Sequence, residues 1–204
     1  MNHLYERVAD GLAEQGYAII DQFISPWEVT AILQLDEFKG GLLHFKKAGI
    51  GKQREKKLNE SIRSDHVQWI DRHTAGKELK VYLDRLDKMI SYINRSLFLS
   101  LKYFEVHLTI YPAGSYYKRH LDQFKGDDHR RLSVILYLNV GWKEEEGGQL
   151  RLHLPDRSLD LFPIGGRLVC FRSDKIEHEV LQATRDRLSI TGWALDQFAE
   201  LRHL

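Results

Sequence analysis

The hydrophobic positions of this 204-residue chain follow a helical period in its first half and a period of two in its second half. Near the start, Leu4, Val8 and Leu12 recur at helical spacing. The segment SPWE at 25–28 has the N-cap serine, first-turn proline and capping-box glutamate that begin a helix. An apolar stripe over 79–97 predicts a longer helix with one buried face. Residues 1–100 are therefore expected to be mostly helical.

From Tyr103 onward the apolar positions alternate, and turn signals recur at short intervals. These signals are PAG at 112–114, NVG at 139–141, EGG at 146–148 and PIGG at 163–166. Several short strands joined by such turns indicate a β-sandwich or barrel. We expect an α+β protein that is mainly β, in which N-terminal helices buttress a double-stranded β-helix, or jelly roll.

The length of the chain predicts one domain over 1–204. Within it we expect helical support and a lid in 1–100 and the jelly-roll core in 101–196.

Charge and composition exclude several classes of function. The formal net charge is +1, so no global field attracts the protein to nucleic acid or to a membrane surface. No stretch approaches the eighteen or so apolar residues of a membrane span, and the N-terminus lacks the apolar run of a signal peptide. The single cysteine, Cys170, lies in an apolar run and is expected to be a buried, inert thiol. We therefore expect a cytoplasmic protein without nucleic-acid or membrane partners.

The candidate chemistry begins in the stretch YPAGSYYKRHLD at 111–122, where His120 and Asp122 are two positions apart. Alternate residues of an extended chain point to the same face, so this pair could bind one metal ion. A third ligand must come from another strand. His178 is favoured because Arg187 follows it nine positions later in a second predicted strand. The other histidines in or near this half are His107, His129, His153 and His203.

The strand that contains Arg187 has a polar face, with Arg187, Ser189, Thr191 and Trp193 on one side. Such a face is better suited to a pocket than to a core. Two histidines and one carboxylate form the facial triad of non-haem Fe(II) oxygenases, which leaves coordination positions open. A dianionic co-substrate could chelate the iron while a guanidinium holds its other end. A surface ion pair is the alternative role for Arg187.

Six segments in one order give the sequence a family resemblance. It resembles the prolyl hydroxylase branch of the 2-oxoglutarate and Fe(II)-dependent dioxygenases, in particular the bacterial homologues of the hypoxia-inducible-factor prolyl hydroxylases. The segments are IRSDHVQWI, YPAGSYYKRHLD, RRLSVILYLN, GGQLRLHLP, FRSD and HEVLQATRDRLSITGW. They extend from residue 62 to residue 193, whereas the first sixty residues match only loosely.

This resemblance implies a role for each matching residue. His120, Asp122 and His178 would bind the iron, and Arg187 and Tyr137 would bind the C5 carboxylate of 2-oxoglutarate. The family spacing favours Arg187 over Arg185, two positions away. The residues that would line the co-substrate pocket are Tyr111, Ile135, Leu150, Val180 and Trp193.

The resemblance also places a lid beside the barrel. Arg63 and Asp65 would lie at the end of a mobile loop, and Asp65 would form an ion pair with Arg130 that ties this lid to the barrel. Trp69 would pack beneath the hinge. The basic loop 46–57 differs from that of the animal enzymes, so their substrate cannot be transferred to this chain. The loop is either solvated or a lid that meets the substrate.

The implied reaction is hydroxylation at C4 of a prolyl residue in a protein, with release of succinate and CO2. It would need Fe(II), with 2-oxoglutarate and O2 as co-substrates and ascorbate as a reductant. For the bacterial branch the implied protein substrate is elongation factor Tu. The alternatives are an oxygenase that acts on a nucleic acid or a small molecule, and a non-catalytic jelly-roll sensor that keeps the metal.

Overall fold

The computed structural model describes residues 2–39, 41–49, 62–123 and 129–197. The α-helices are α1 (Asn2–Glu14), α2 (Pro26–Leu33), α3 (Asp36–Lys39) and α4 (Lys77–Leu97). The first strands are β1 (Tyr17–Ile20), β2 (Lys46–Lys47), β3 (His66–Trp69), β4 (Tyr103–Tyr111), β5 (Tyr117–His120) and β6 (Arg130–Tyr137). The remaining strands are β7 (Leu150–His153), β8 (Ser158–Leu161), β9 (Leu168–Arg172), β10 (Glu177–Val180) and β11 (Arg187–Leu195).

The strands form two antiparallel sheets. The large sheet has seven strands in the order β1-β9-β6-β11-β4-β3-β2, and the small sheet has four in the order β5-β10-β7-β8. Neighbours in space are mostly distant in sequence, as expected when strands cross repeatedly between the two sheets of a jelly roll. The predicted fold class, mainly β with supporting helices, is confirmed.

Two apolar cores hold these layers together. One lies between the helices and one face of the large sheet, and it includes Leu86 and Met89 of α4 and Leu136 of β6. The other lies between the two sheets and includes Phe171 of β9 and Leu152 of β7. Because residues alternate along a strand, the large sheet contributes to both cores. Its inner face is therefore available for a site between the sheets.

The helix starts and stops predicted from the sequence are present. Ser25 accepts a hydrogen bond from the Glu28 N–H, and the Glu28 side chain accepts one from the Ser25 N–H, which completes the capping box of α2. Helix α4 spans the predicted apolar stripe, and its buried residues include Leu79, Leu83 and Ile93. Helix α1 ends just before Gly16, whose φ of 81° only glycine adopts without strain.

The first hundred residues contain more strand than the helical pattern indicates. Strand β3 pairs with β4 and carries β2 at the edge of the large sheet. Four residues are too few for an alternating pattern to stand out beside a long helix. Of the basic loop 46–57, residues 50–57 lie outside the described part of the chain. No helix among the described residues is long and apolar enough to cross a bilayer.

Candidate active site

Three side chains of the predicted triad converge between the sheets. His120 at the end of β5 lies opposite His178 of β10 in the antiparallel register, and Asp122 follows two residues later. Asp122 Oδ1 is 3.4 Å from His120 Nε2, and Asp122 Oδ2 is 3.6 Å from His178 Nε2. The three residues each offer one ligand atom, and these atoms all lie within 4.8 Å of one another.

The two imidazoles are oriented by backbone carbonyls. His120 Nδ1 lies 2.7 Å from the Lys118 oxygen, and His178 Nδ1 lies 3.3 Å from the Ile176 oxygen. In the tautomer that carries its proton on Nδ1, each ring donates to its carbonyl oxygen and has a lone pair on Nε2 for a metal. A metal-ligating histidine usually donates its other N–H in this way. The arrangement therefore fits two neutral nitrogen ligands.

The protonation states also fit a metal site. Burial lowers the pKa of His178 to about 4, although the nearby Asp122 opposes this shift. Burial alone would raise the pKa of Asp122, but His178, His120 and the Ser133 hydroxyl together hold it well below its usual range. At neutral pH this combination gives a carboxylate beside an uncharged imidazole. That donor set suits Fe(II) and leaves coordination positions open.

Arg187 lies at the start of β11 and is 2% exposed. Its Nε donates to the Gly148 oxygen at 3.0 Å, and its Nη2 donates to Tyr137 Oη at 3.2 Å. Its guanidinium also lies over the rings of Tyr111 and Tyr137. Among the described residues, no carboxylate lies within ion-pair distance of this guanidinium. Arg187 is a buried cation held by neutral groups.

The triad and Arg187 line the same cleft. The predicted pocket residues that line it are Tyr111, Ile135, Leu150, Val180 and Trp193. Tyr137 is fully buried and contributes through its bond to Arg187. The cleft also contains residues that were given no role from the sequence, namely His107, Thr109 and Tyr117.

One end of the cleft is aromatic. The His107 ring lies edge-on to Trp69 at 5.0 Å and is tilted towards Trp193 at 5.4 Å. Trp69 is half exposed, so it lies at the rim and not beneath a hinge. Burial lowers the pKa of His107 to about 4, and Thr109 Oγ1 lies 2.9 Å from its Nδ1. The three rings at this end of the cleft are therefore uncharged.

The predicted ion pair between Asp65 and Arg130 is wrong. Asp65 accepts two hydrogen bonds from Arg63, at 2.7 and 2.6 Å, and its carboxylate is fully buried. Arg130 instead bonds to Glu105 of β4, two strands away in the large sheet, and stacks at 3.6 Å on the Trp193 ring of the intervening strand β11. Asp65 is paired with Arg63 and Arg130 is paired with Glu105, so Asp65 and Arg130 do not form an ion pair with each other.

The Arg63–Asp65 pair nevertheless lies beside the triad. The Arg63 guanidinium lies over the Tyr117 ring at 4.3 Å, and that ring stacks on His120 with the centroids 3.5 Å apart. Both lid residues line the cleft. The segment that contains them is therefore connected to a candidate metal ligand through one aromatic ring.

Three of the residues considered as alternatives to Arg187 or to the histidine ligands have partners outside the cleft. Arg185 donates to the Val140 oxygen and pairs with Glu146 at the surface. His129 pairs with Asp196, and His153 pairs with Glu179 on the small sheet. His203 lies outside the described residues. Among the described histidines that were considered as alternative ligands, His107 is the one that lines the cleft.

Comparison with known proteins finds relatives among the 2-oxoglutarate and Fe(II)-dependent oxygenases. Residues 106–195 match the model of the 2OG-Fe(II) oxygenase superfamily. The chain is 29% identical over 210 residues to a hypoxia-inducible factor prolyl hydroxylase of Caenorhabditis elegans. That match covers 97% of this chain but only 29% of the longer relative.

Two solved structures are similar over nearly the whole chain. A prolyl-4-hydroxylase of Pseudomonas putida is 38% identical with a TM-score of 0.85, covering 96% of this chain and 100% of that one. A prolyl hydroxylase of Trichoplax adhaerens, in complex with a peptide of the hypoxia-inducible factor oxygen degradation domain, is 30% identical with a TM-score of 0.84. This match covers 95% of this chain and 90% of the Trichoplax chain. The chain therefore belongs to the prolyl hydroxylase family within the 2OG-Fe(II) oxygenase superfamily.

Proposed function

We propose that this protein is a 2-oxoglutarate- and Fe(II)-dependent dioxygenase that hydroxylates C4 of a prolyl residue in a protein substrate. One observation carries the proposal. His120, Asp122 and His178 share a cleft with Arg187, a buried cation that has no carboxylate partner among the described residues. A metal-binding triad and an unpaired guanidinium in one cleft match a co-substrate that is anionic at both ends.

The triad would hold the metal. Two imidazole nitrogens and one carboxylate reduce the charge of Fe(II) from +2 to +1, so an anionic co-substrate is still attracted to the centre. When bound, the iron supplies the activation of O2 that C–H hydroxylation requires. The protein supplies ligands of fixed orientation, because His120, His178 and Asp122 each have a hydrogen-bond partner behind them.

Arg187 and Tyr137 would hold the far carboxylate of 2-oxoglutarate. A buried guanidinium costs solvation free energy unless an anion pairs with it. The bond from Arg187 Nε to the Gly148 oxygen fixes the plane of the guanidinium, while its Nη atoms lie beside the Tyr137 hydroxyl. A carboxylate that enters this end of the cleft would accept bonds from both side chains.

The aromatic end of the cleft suits a prolyl ring. Trp193, His107 and Trp69 form a surface of uncharged rings that extends from the inside of the cleft to its rim. This surface continues towards Arg63 and Asp65, which we propose belong to the substrate-facing lid. The similar bacterial and animal hydroxylases favour a protein substrate. Elongation factor Tu and ascorbate as reductant enter the proposal from the family resemblance alone, and a cytoplasmic location enters it from the amino-acid composition alone.

The test begins with anaerobic loading of the protein with Fe(II) and 2-oxoglutarate. Air and elongation factor Tu are then added, and mass spectrometry is used to find a prolyl residue whose mass has increased by one oxygen. Succinate is measured in parallel. We expect one hydroxyproline and matching succinate, and we expect neither from the His178→Ala variant, which lacks one metal ligand.

Other outcomes assign the protein differently. Hydroxyproline in a bacterial lysate but not on elongation factor Tu would keep the reaction and change the substrate. Succinate released with a small molecule, or with loss of a methyl group from a base, would replace the prolyl substrate. Metal binding without succinate under any condition would indicate the non-catalytic sensor.

A further inference from the structure

Two buried serines connect Asp122 to the large sheet. Ser133 on β6 donates to Asp122 Oδ2 at 2.6 Å, and the hydroxyl oxygens of Ser133 and Ser173 are 2.8 Å apart. Both serines are fully buried: Ser133 lies between two apolar residues of β6, and Ser173 directly follows the apolar strand β9. A buried hydroxyl is costly unless it is hydrogen-bonded. The proposed function uses the Ser133 bond only as support behind Asp122 and gives Ser173 no role, so the chain of bonds needs its own explanation.

The direction of these hydrogen bonds follows from the carboxylate. A metal-binding carboxylate is ionised and only accepts hydrogen bonds. The Ser133 proton must therefore point at Asp122 Oδ2. Its hydroxyl oxygen then accepts the proton of Ser173. The bonds run in one order, from Ser173 to Ser133 to Asp122, and Ser173 acts on the carboxylate only through Ser133.

The bonds from Ser173 to Ser133 to Asp122 form a hydrogen-bond relay, and Ser173 also lies close in sequence to His178, a second proposed ligand. Ser173 directly follows β9, and its N–H donates to the Arg131 oxygen on β6 at 3.1 Å. The short turn after it leads into β10, which carries His178. The loop of Asp122 is held in addition by Arg130, whose Nη1 donates to the Asp122 backbone oxygen at 3.3 Å. The relay thus joins the inner strands of the large sheet to the segments that carry two ligands.

We propose that Ser133 and Ser173 are positioning residues that hold Asp122 as a ligand through one oxygen, Oδ1. The proposal rests on the proposed function of the triad. Oδ2, which is 3.6 Å from His178 Nε2, accepts the short bond from Ser133, whereas Oδ1, 3.4 Å from His120 Nε2, accepts no bond from a serine among the described residues. Binding through both oxygens would have to weaken the Ser133 bond. A one-oxygen ligand leaves more coordination positions for the co-substrates.

The test measures binding of Co(II), an air-stable substitute for Fe(II), and the visible absorption spectrum of the complex. We expect Ser133→Ala to weaken Co(II) binding by about 10- to 100-fold, the usual effect of removing a group that orients a metal ligand. The visible spectrum should also change, because the freed Oδ2 can join the coordination. Ser133→Thr keeps a hydroxyl and should restore both affinity and spectrum.

The second serine supplies an internal check. Ser173→Ala should weaken Co(II) binding in the same direction but less, by under about 10-fold, since Ser133 can still donate. The double variant should bind no more weakly than Ser133→Ala alone, because Ser173 acts through Ser133. Additive losses in the double variant would contradict a relay.

A matched control separates positioning from general damage. Val134 follows Ser133 on the same strand, is 1% exposed and faces the opposite core. Val134→Ala should lower the melting temperature and leave the Co(II) affinity unchanged. The relay is overturned if Ser133→Ala binds Co(II) with wild-type affinity and spectrum, or if Val134→Ala weakens binding equally. If the wild type binds no Co(II), or His178→Ala binds as well as the wild type, the metal site of the proposed function itself fails.

Discussion

Arg187 differs from the proposed metal ligands in how its charge is balanced. The carboxylate of Asp122 lies between two imidazoles and accepts a serine hydrogen bond. Arg187 is equally buried, yet its described polar partners are a carbonyl and a phenol. The free energy lost by burying this cation is recovered when an anion pairs with it. Binding of 2-oxoglutarate is thus expected to depend strongly on this one side chain.

Replacing Arg187 with lysine tests that dependence. The Arg187→Lys variant keeps the positive charge but loses the planar fork and the Nε bond to Gly148. Loss of a hydrogen bond to a charged group costs about 1.5–3 kcal/mol, so the KM for 2-oxoglutarate should rise by about 10- to 100-fold. Initial rates of succinate release at varied 2-oxoglutarate concentration measure this effect.

Arg185→Lys is the matched control, two positions away on the same segment. Arg185 bonds to Val140 and Glu146 near the surface, so its replacement should leave the KM for 2-oxoglutarate within about twofold. A KM that rises in Arg185→Lys and stays constant in Arg187→Lys would transfer the role to Arg185.

Some site residues follow from spacing and others do not. His120 and Asp122 are two positions apart in extended chain, and Arg187 lies on a strand face with a polar period of two, so both features are visible in the sequence. Ser133 and Ser173 lie 40 positions apart, and one buried serine in an apolar strand gives no signal. The partner of Arg130 could not be predicted, because spacing along the chain does not say which carboxylate of another segment a long side chain will meet. In the fold Arg130 bonds to Glu105 and stacks on Trp193.

At the scale of elements, the capped start of α2 is expected to contribute to the stability of the fold. The capping box of Ser25 and Glu28 is joined by Arg85 of α4, which pairs with Glu28 at 2.6 Å and donates to the Phe23 oxygen. Ser25→Ala removes the acceptor for the first-turn N–H and should lower the free energy of unfolding by about 1 kcal/mol. Urea unfolding followed by circular dichroism measures this loss. Ser25→Asp, which retains a capping oxygen, should stay close to the wild type.

Strand β11 forms the centre of the large sheet and depends on a glycine. A Cβ at Gly192 would lie 2.3 Å from the Glu105 backbone oxygen and 2.9 Å from the Phe104 ring. Gly192→Ala should therefore lower the free energy of unfolding by about 1–3 kcal/mol or more. Chemical denaturation measures this change. A stability equal to that of the wild type would show that β4 and β11 can separate freely.

Gly141→Asn is the corresponding control. Gly141 has a φ of +62°, which asparagine tolerates, and a Cβ there meets nothing within 4 Å. The variant should unfold within about 0.5 kcal/mol of the wild type. A large loss at Gly141 would indicate that the effect at Gly192 is not specific to close strand packing.

The elements with long periodic patterns or clear turn chemistry could be predicted from sequence. Helices α1, α2 and α4 and the strand-rich second half are of this kind. Strands β2 and β3 were not predicted, since two and four residues carry too short a pattern. The order of the strands in the sheets also cannot be read from periodicity, because pairing joins segments that are far apart in sequence. The sequence therefore predicted a jelly roll without an order of strands.

At the scale of the whole molecule, the site lies apart from the larger core. The helices and the outer face of the large sheet form one core, while the ligands and Arg187 line a cleft between the sheets. The four-stranded small sheet carries both histidine ligands, and β11 of the large sheet carries Arg187. A metal and its co-substrate would therefore link the two sheets in addition to filling a pocket.

This bridging predicts a stepwise thermal stabilisation. A ligand that binds only the folded protein at 100 times its Kd adds about 2.7 kcal/mol. For a chain of this size that is about 5–10 °C in melting temperature. Differential scanning fluorimetry should show one increase in melting temperature with Co(II) and a second when 2-oxoglutarate is added.

Two variants separate these increases. Arg187→Lys should keep the first increase and lose most of the second, because the metal ligands are intact. His178→Ala should lose both, since 2-oxoglutarate needs the metal for its other end. An unchanged second increase in Arg187→Lys would mean that 2-oxoglutarate binds away from this guanidinium and does not join the two sheets.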